Sequence, residues 1–300
     1  MNVVQLLVDP LQYGFMQRAM ISALLVGTIC AITGSYLIVR RLSMLGDAVS
    51  RAVMPGLAIA FLLGANIFFG AFIAGVVATG LIGAIHTNSK IKEDTAMGIV
   101  FSSFFSLGII LITKIQKDSK VDLNHFLFGN ILGVSESDLI TTLVISVIVI
   151  ATISLIYKEL LFHSFDPLGA KSVGLPVQAL NLVVMSLIAA TIVASMQSVG
   201  VILVIALMLG PGTTAFLLTK KLKTMMLLSV AVGAVSSTVG LYLSYYLDIS
   251  SGPAVVMVST VFFILSFLFS PRQGLLTHFL HQDQDEDSVS GSLAEEVYKQ

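Results

Sequence analysis

Residues 16 to 39 read MQRAMISALLVGTICAITGSYLIV, and Arg40-Arg41 follow at once. A helix that crosses a bilayer needs roughly 20 mostly apolar residues, so this run is long enough for one span. The two arginines close it, because their charge stays out of the hydrocarbon. The same pattern recurs down the chain. From about Asp47 to His86 the apolar stretch is too long for one span, and it divides at Gly64-Ala65-Asn66, where Gly and Asn favour a turn. Met97 to Ile112 is a fourth span and Leu139 to Tyr157 a fifth. The 39 residues from Leu180 to Leu218 make two more, with the turn expected at the polar Gln197-Ser198. Met225 to Tyr246 and Gly252 to Ser270 complete the set. The count is nine, or eight if one segment is re-entrant. Lipid admits only helices and closed barrels, and these runs are too long and too continuously apolar for barrel strands. The fold class is an all-α, polytopic transmembrane helix bundle.

Composition agrees. Of 300 residues, 56% are hydrophobic and 11% charged, and the mean hydropathy is +0.97. Soluble domains carry about 25% charged residues. This excludes a cytosolic enzyme, a nucleic-acid binder and a disordered chain. The one cysteine, Cys30, lies inside an apolar run, so neither a disulfide framework nor a thiolate metal cluster is expected. The start does not read as a secretory signal: it has Asp9, no lysine or arginine before Met16, and a first run long enough to span.

The formal net charge of −1 conceals an asymmetry. Residues 282 to 300 hold six acids (Asp283, Asp285, Glu286, Asp287, Glu295, Glu296) against Lys299, a net of −5. The rest keeps 11 acids and 15 bases, a net of +4. Loops after the odd-numbered spans hold ten of those bases: Arg40, Arg41, Lys90, Lys92, Lys158, Lys171, Lys220, Lys221, Lys223 and Arg272. The other side holds four, Arg18, Lys114, Lys117 and Lys120, and Arg51 is left out of both sides because it falls within the second span. Positive charge collects in the cytoplasm, which puts the N-terminus outside and the C-terminus inside. Three parts follow: residues 1–15 as an N-terminal segment, 16–272 as the membrane domain with a cytoplasmic loop at 158–177, and 273–300 as an acidic tail whose acids and serines read as disordered and cytosolic.

Few groups could carry chemistry. No phosphate-cradling G-x-x-x-x-G-K-[ST] occurs, nor H-E-x-x-H, nor G-x-S-x-G. His86, His125, His163, His278 and His281 are scattered over loops and tail. Asp47 and Arg51 are four apart at the start of the second span, hence on one helical face. They read either as a helix-start pair at the interface, Asp47 meeting the helix dipole and Arg51 snorkelling, or as a polar station on a transport path. Pro55-Gly56 then breaks or bends that span. Asp166-Pro167 is an acidic N-cap followed by proline at the first helical position, and Gly174 and Pro176 are stop signals. A single short helix in the cytoplasmic loop is expected there. It is either a connector or, because Gly169 and Ala170 are small, a place where another protein approaches closely. Leu209-Gly210-Pro211-Gly212-Thr213-Thr214 interrupts backbone bonding in mid-span, which suits a kinked packing helix or a pore lining.

Together these segments resemble the permease subunit of the zinc/manganese/iron ABC importer family. Val39 to Gly56 is similar to that family's L-R-R-L-S-L-x-G-D-A-x-S-H-A-V-L-P-G, Leu127 to Leu132 to its L-F-G-N-I-L, Phe165 to Pro176 to its F-D-P-E-G-A-R-x-L-G-L-P, and Gln197 to Pro211 to its Q-x-V-G-x-x-L-V-x-A-L-L-x-x-P. The resemblance spans about residues 10 to 272. It implies a multi-pass protein of the bacterial inner (plasma) membrane that forms a dimer with a second permease copy. It also implies two cytosolic ATPase subunits that bind the ATP, and an external metal-binding protein that delivers a divalent cation. The loop with Asp166, Gly169, Ala170 and Gly174 is implied to lie against the ATPase, with Leu168 where the family's pattern has glutamate. Asp47 is implied to meet the metal, with Arg51, Pro55 and Pro211 along the path.

The family's histidine position is Arg51 here. Arginine offers no lone pair and does not deprotonate, so it cannot ligate a cation and repels one. Three accounts stand: Asp47 from each of two copies with Arg51 paired to an acid as a gate, a heterodimer whose second permease keeps the histidine, or a copy that handles metal less tightly. A carboxylate-rich, imidazole-poor site suits Mn²⁺ more than Zn²⁺. The expectation is therefore the transmembrane subunit of an importer for Mn²⁺, with Zn²⁺ or Fe²⁺ as alternative cargo, no enzyme activity of its own and no permanently bound cofactor. An ion-coupled secondary carrier is the alternative class, but no internal repeat of the kind such carriers show is visible.

Overall fold

The structure is a computed structural model that describes residues 9–118 and 131–270. Twelve helices account for most of them: α1 (Gly14–Val39), α2 (Ser43–Ala52), α3 (Met54–Leu62), α4 (Ile67–Asn88), α5 (Glu93–Asp118), α6 (Glu136–Leu155), α7 (Tyr157–Phe165), α8 (Pro167–Ser172), α9 (Val177–Val199), α10 (Val201–Leu218), α11 (Leu222–Leu247) and α12 (Ser251–Phe269). Among the described residues nine segments are long and apolar enough to cross a membrane, with α2 and α3 together forming the second. The acidic tail, the histidines at 125, 278 and 281, and Leu127 to Asn130 of the family-like L-F-G-N-I-L segment lie outside the described residues.

Helix α1 is the hub. It packs most extensively on α10 and α11, and also on α6 and α9. Helices α10, α11 and α12 form one group, and α3, α4 and α5 another, with α9 between α4, α6 and α1. Apolar contact alone gives little drive for helix association in lipid, so backbones must come close. They do so at glycines. A Cβ at Gly34 would overlap the Met208 carbonyl of α10, and one at Gly56 would overlap the Gly70 carbonyl of α4. Buried hydroxyls bridge helices as well. Thr142 and Ser198 share a hydrogen bond of 2.8 Å between α6 and α9, and Ser229 Oγ of α11 donates to Pro211 O of α10 at 3.1 Å.

The ends of the first, fifth, seventh and ninth spans meet. Val39 and Arg41 after the first, Phe165 after the fifth and Lys220 after the seventh line one cavity. Ser270, just after the ninth, donates its Oγ to Leu217 O at 2.8 Å. At the opposite end Arg18 pairs with Glu136 at 3.3 Å. The basic loops after the first, fifth and seventh spans therefore share one end of the bundle with the exit of the ninth, as antiparallel spans require.

Three local expectations change. The turn between the sixth and seventh spans is at Gly200, with φ of 83°, and not at Gln197-Ser198. Ser198 stays helical because Thr142 satisfies its hydroxyl, whereas the reversal needs the positive φ that glycine tolerates. The loop at 158–177 holds two short helices, α7 and α8, hinged at Asp166, and not one; Tyr157 opens α7 instead of closing the fifth span. His163, expected among scattered loop residues, is 1% exposed, and neither ring nitrogen has a hydrogen-bond partner. Burial lowers its pKa and the Arg40 charge lowers it further, so the ring is held neutral. The division at Gly64-Ala65-Asn66 is where it was expected: Asn66 caps α4 by accepting from Phe68 N at 2.9 Å.

Candidate functional site

Helix α2 is short and two-faced. Leu45, Gly46, Ala48, Val49, Ser50 and Ala52 are buried. Met44, Asp47 and Arg51 fall at i, i+3 and i+7, one stripe on the other side. The side chains of Asp47 and Arg51 are 35% and 43% exposed, and Met44 is 68% exposed. Arg51 Nε donates to Asp47 Oδ1 at 3.1 Å, and its guanidinium carbon stands 5.2 Å from the centre of the Phe101 ring on α5. The cation is thus held between a carboxylate and an aromatic face. At 1.5 Å per residue, Asp47 sits about 6 Å and Arg51 about 12 Å inside the start of the span.

The span breaks one turn further in. Pro55 has no N–H to bond Arg51 O, and Val53 separates α2 from α3. Pro55 is buried against α5, where a Cβ at Gly108 would lie 3.1 Å from its nitrogen. Its other side borders an apolar cavity of about 430 Å³ that also involves Gly56, Phe69 and Phe104. Pro211 lies away from the Asp47 stripe. It is buried inside α10, facing α11, with its Cγ 3.7 Å from the Cβ position of Gly233. Thr213 and Thr214 bond back to Leu209 and Gly210 carbonyls instead of lining an opening. The mid-span proline serves packing here.

The described residues of a single copy do not enclose a cation. Among the described residues no group of three or more His, Cys, Asp or Glu side chains converges. Asp47 offers one carboxylate, already shared with Arg51, on a stripe that faces away from this chain's own core. A complete oxygen shell, about six ligands for a hard divalent ion, would need water and a second surface.

At the basic end, Asp166 accepts from Gly169 N at 2.8 Å and Pro167 opens α8, the local chemistry its sequence implies. Gly174 (φ 85°) closes it, with Leu175 N reaching Ala170 O at 3.0 Å. The structure assigns the small residues other tasks than giving room to a partner. A Cβ at Gly169 would overlap the Asp166 carboxylate, and Ala170 is fully buried. The outward side of the hinge is instead Phe165, Leu168 and Val173, at 60%, 80% and 73% exposure. No periodic pattern in the sequence marks these apolar groups as a surface. Leu168, where the resembled permease pattern has glutamate, is the one sign of it.

A family model described as the ABC 3 transport family matches residues 12–270. A Listeria innocua protein named "Manganese transport system membrane protein MntC" is 47% identical over 266 residues, 89% of this chain and 94% of that one. A Haemophilus influenzae protein named a probable iron transport system membrane protein is 43% identical over 264 residues, 88% of this chain and 97% of that one. Among solved structures, "PsaBC from Streptococcus pneumoniae in complex with Fab" aligns with a TM-score of 0.82 at 41% identity, covering 91% of this chain and 98% of that one.

Proposed function

The chain belongs to the ABC 3 transport family, and from that premise we propose that it imports Mn²⁺ as the membrane-spanning subunit of an ATP-driven transporter. The observation that carries this reading is near-complete alignment with a manganese transport protein, joined to a carboxylate on an outward-facing stripe at the entrance of a broken span. Hydrolysis of ATP belongs to a separate cytosolic subunit, which docks on the hinge between α7 and α8. Phe165, Leu168 and Val173 supply its apolar contact, and the Asp166 cap and Gly174 hold α8 in shape. The basic end faces the cytoplasm, because ten bases lie on that side. A metal-binding protein delivers the cation at the opposite end.

The path runs between two copies. Each contributes Asp47, and water completes the shell of a hard, oxygen-seeking ion. Arg51 occupies Asp47 when no cation is there. An arriving divalent ion must displace the guanidinium, which withdraws onto the Phe101 ring, so Arg51 acts as a charge gate. Of the accounts the sequence left open, this one uses the pair the structure brings together. The iron-named relative supports Fe²⁺ as a second cargo. The test is uptake in cells lacking this chain, before and after its return, with Mn²⁺ as the measured ion and Zn²⁺ or Fe²⁺ as competitors. Restored Mn²⁺ uptake that equimolar Zn²⁺ leaves largely intact supports the reading. Restored Zn²⁺ uptake without Mn²⁺ uptake overturns it.

A further inference from the structure

At the basic end, a cavity of about 540 Å³ opens between the α1–α2 turn, the α7–α8 hinge and the α10–α11 turn. Ile38, Phe216, Leu222 and Met225 give it apolar walls, and Arg41 and Lys220 stand at its edge. Arg41 takes a left-handed backbone (φ 59°), a conformation that favours glycine at a helix end. Both cations are exposed. Among the described residues neither has an acid within ion-pair distance, nor do Lys221 and Lys223. The cavity therefore offers grease and unanswered positive charge together.

The chain leaves the bundle at this place. Ser270 Oγ bonds Leu217 O at 2.8 Å, and Leu217 lines the cavity. The residues beyond 270 carry the acidic segment, with Leu293 twenty-three positions further on. Twenty-three residues reach about 80 Å fully extended and roughly 26 Å as a random coil. A tether this short holds the segment at millimolar effective concentration. Its composition matches the cavity: Leu293 and Val297 are apolar and four apart, and Glu295 and Glu296 lie between them.

We infer that residues 283–297 of this chain dock in this cavity, with Glu295 and Glu296 on Arg41 and Lys220 and with Leu293 and Val297 on the apolar wall. Seated there, the tail lies beside Phe165, where α7 turns into α8. An anionic lipid headgroup would answer the same cations. The tail is favoured because it starts at the cavity wall and carries its own apolar anchors.

The native cysteine, Cys30, is fully buried, so introduced thiols report without background. In membranes holding the full chain, Phe216→Cys with Leu293→Cys is expected to form a disulfide under mild oxidant. Ile73→Cys on the outer side of α4, paired with the same tail cysteine, is expected to form none. The joint change Arg41→Gln and Lys220→Gln, or salt near 1 M, is expected to slow the cross-link about tenfold, since two exposed ion pairs are lost or screened. Equal cross-linking at residue 73, or a rate indifferent to charge and salt, overturns the inference. So does an anionic phospholipid that co-purifies with the chain and is lost in the Arg41/Lys220 variant while no disulfide forms.

Discussion

Arg51 stands where the resembled permease pattern has histidine, and under the proposed function it would act there as a gate. The guanidinium bonds Asp47 at 3.1 Å and rests on Phe101. Both side chains are more than a third exposed, so their attraction is screened and worth at most about 1 kcal/mol. That is weak enough for a divalent ion to displace. Arg51→Ala is expected to lower the Mn²⁺ concentration for half-maximal uptake by up to about fivefold, the equivalent of that pair energy. Loss of uptake in Arg51→Ala, matching loss of the carboxylate, would show that the arginine does more than gate. The spacing of Asp47 and Arg51 made their pairing legible in the sequence. The direction in which the stripe faces was not legible, because α2 shows its buried side only through contacts with α1, α4, α5, α9 and α10.

Helix α8 shows how local chemistry is readable while its purpose is not. Asp166, Pro167 and Gly174 do what their types dictate. Gly169 and Ala170 do not face outward: one makes room for the Asp166 carboxylate and the other is buried. Gly169→Val is therefore expected to break the cap and loosen α8, a loss of about 1 kcal/mol, and to reduce co-purification of the ATPase subunit. Asp166→Ala is expected to do the same to a similar degree, because it removes the same bond. Full ATPase recovery with either variant would separate the cap from docking. The turn at Gly200 teaches a related lesson. Gln197 and Ser198 are polar, but a hydroxyl that meets Thr142 across two helices stays inside a span, and only backbone conformation decides where the chain reverses.

For the whole molecule, the number of spans and their all-helical character followed from run lengths and the rules of lipid. Their arrangement did not, since glycine contacts such as Gly34 with Met208 and Gly56 with Gly70 are set by tertiary geometry. Nor did the packing role of Pro211, which α11 covers. What the described residues leave open is a carboxylate directed away from their core, with no second His, Cys, Asp or Glu pair beside it to complete a metal site. The proposed path between two copies would give that carboxylate a function. The most direct test is Mn²⁺ uptake by cells carrying Asp47→Asn, with membrane level and ATPase association matched to the parent chain. The account predicts a fall of at least about tenfold, since losing even a supporting partner of a metal ligand costs that much. Uptake equal to the parent's would contradict it.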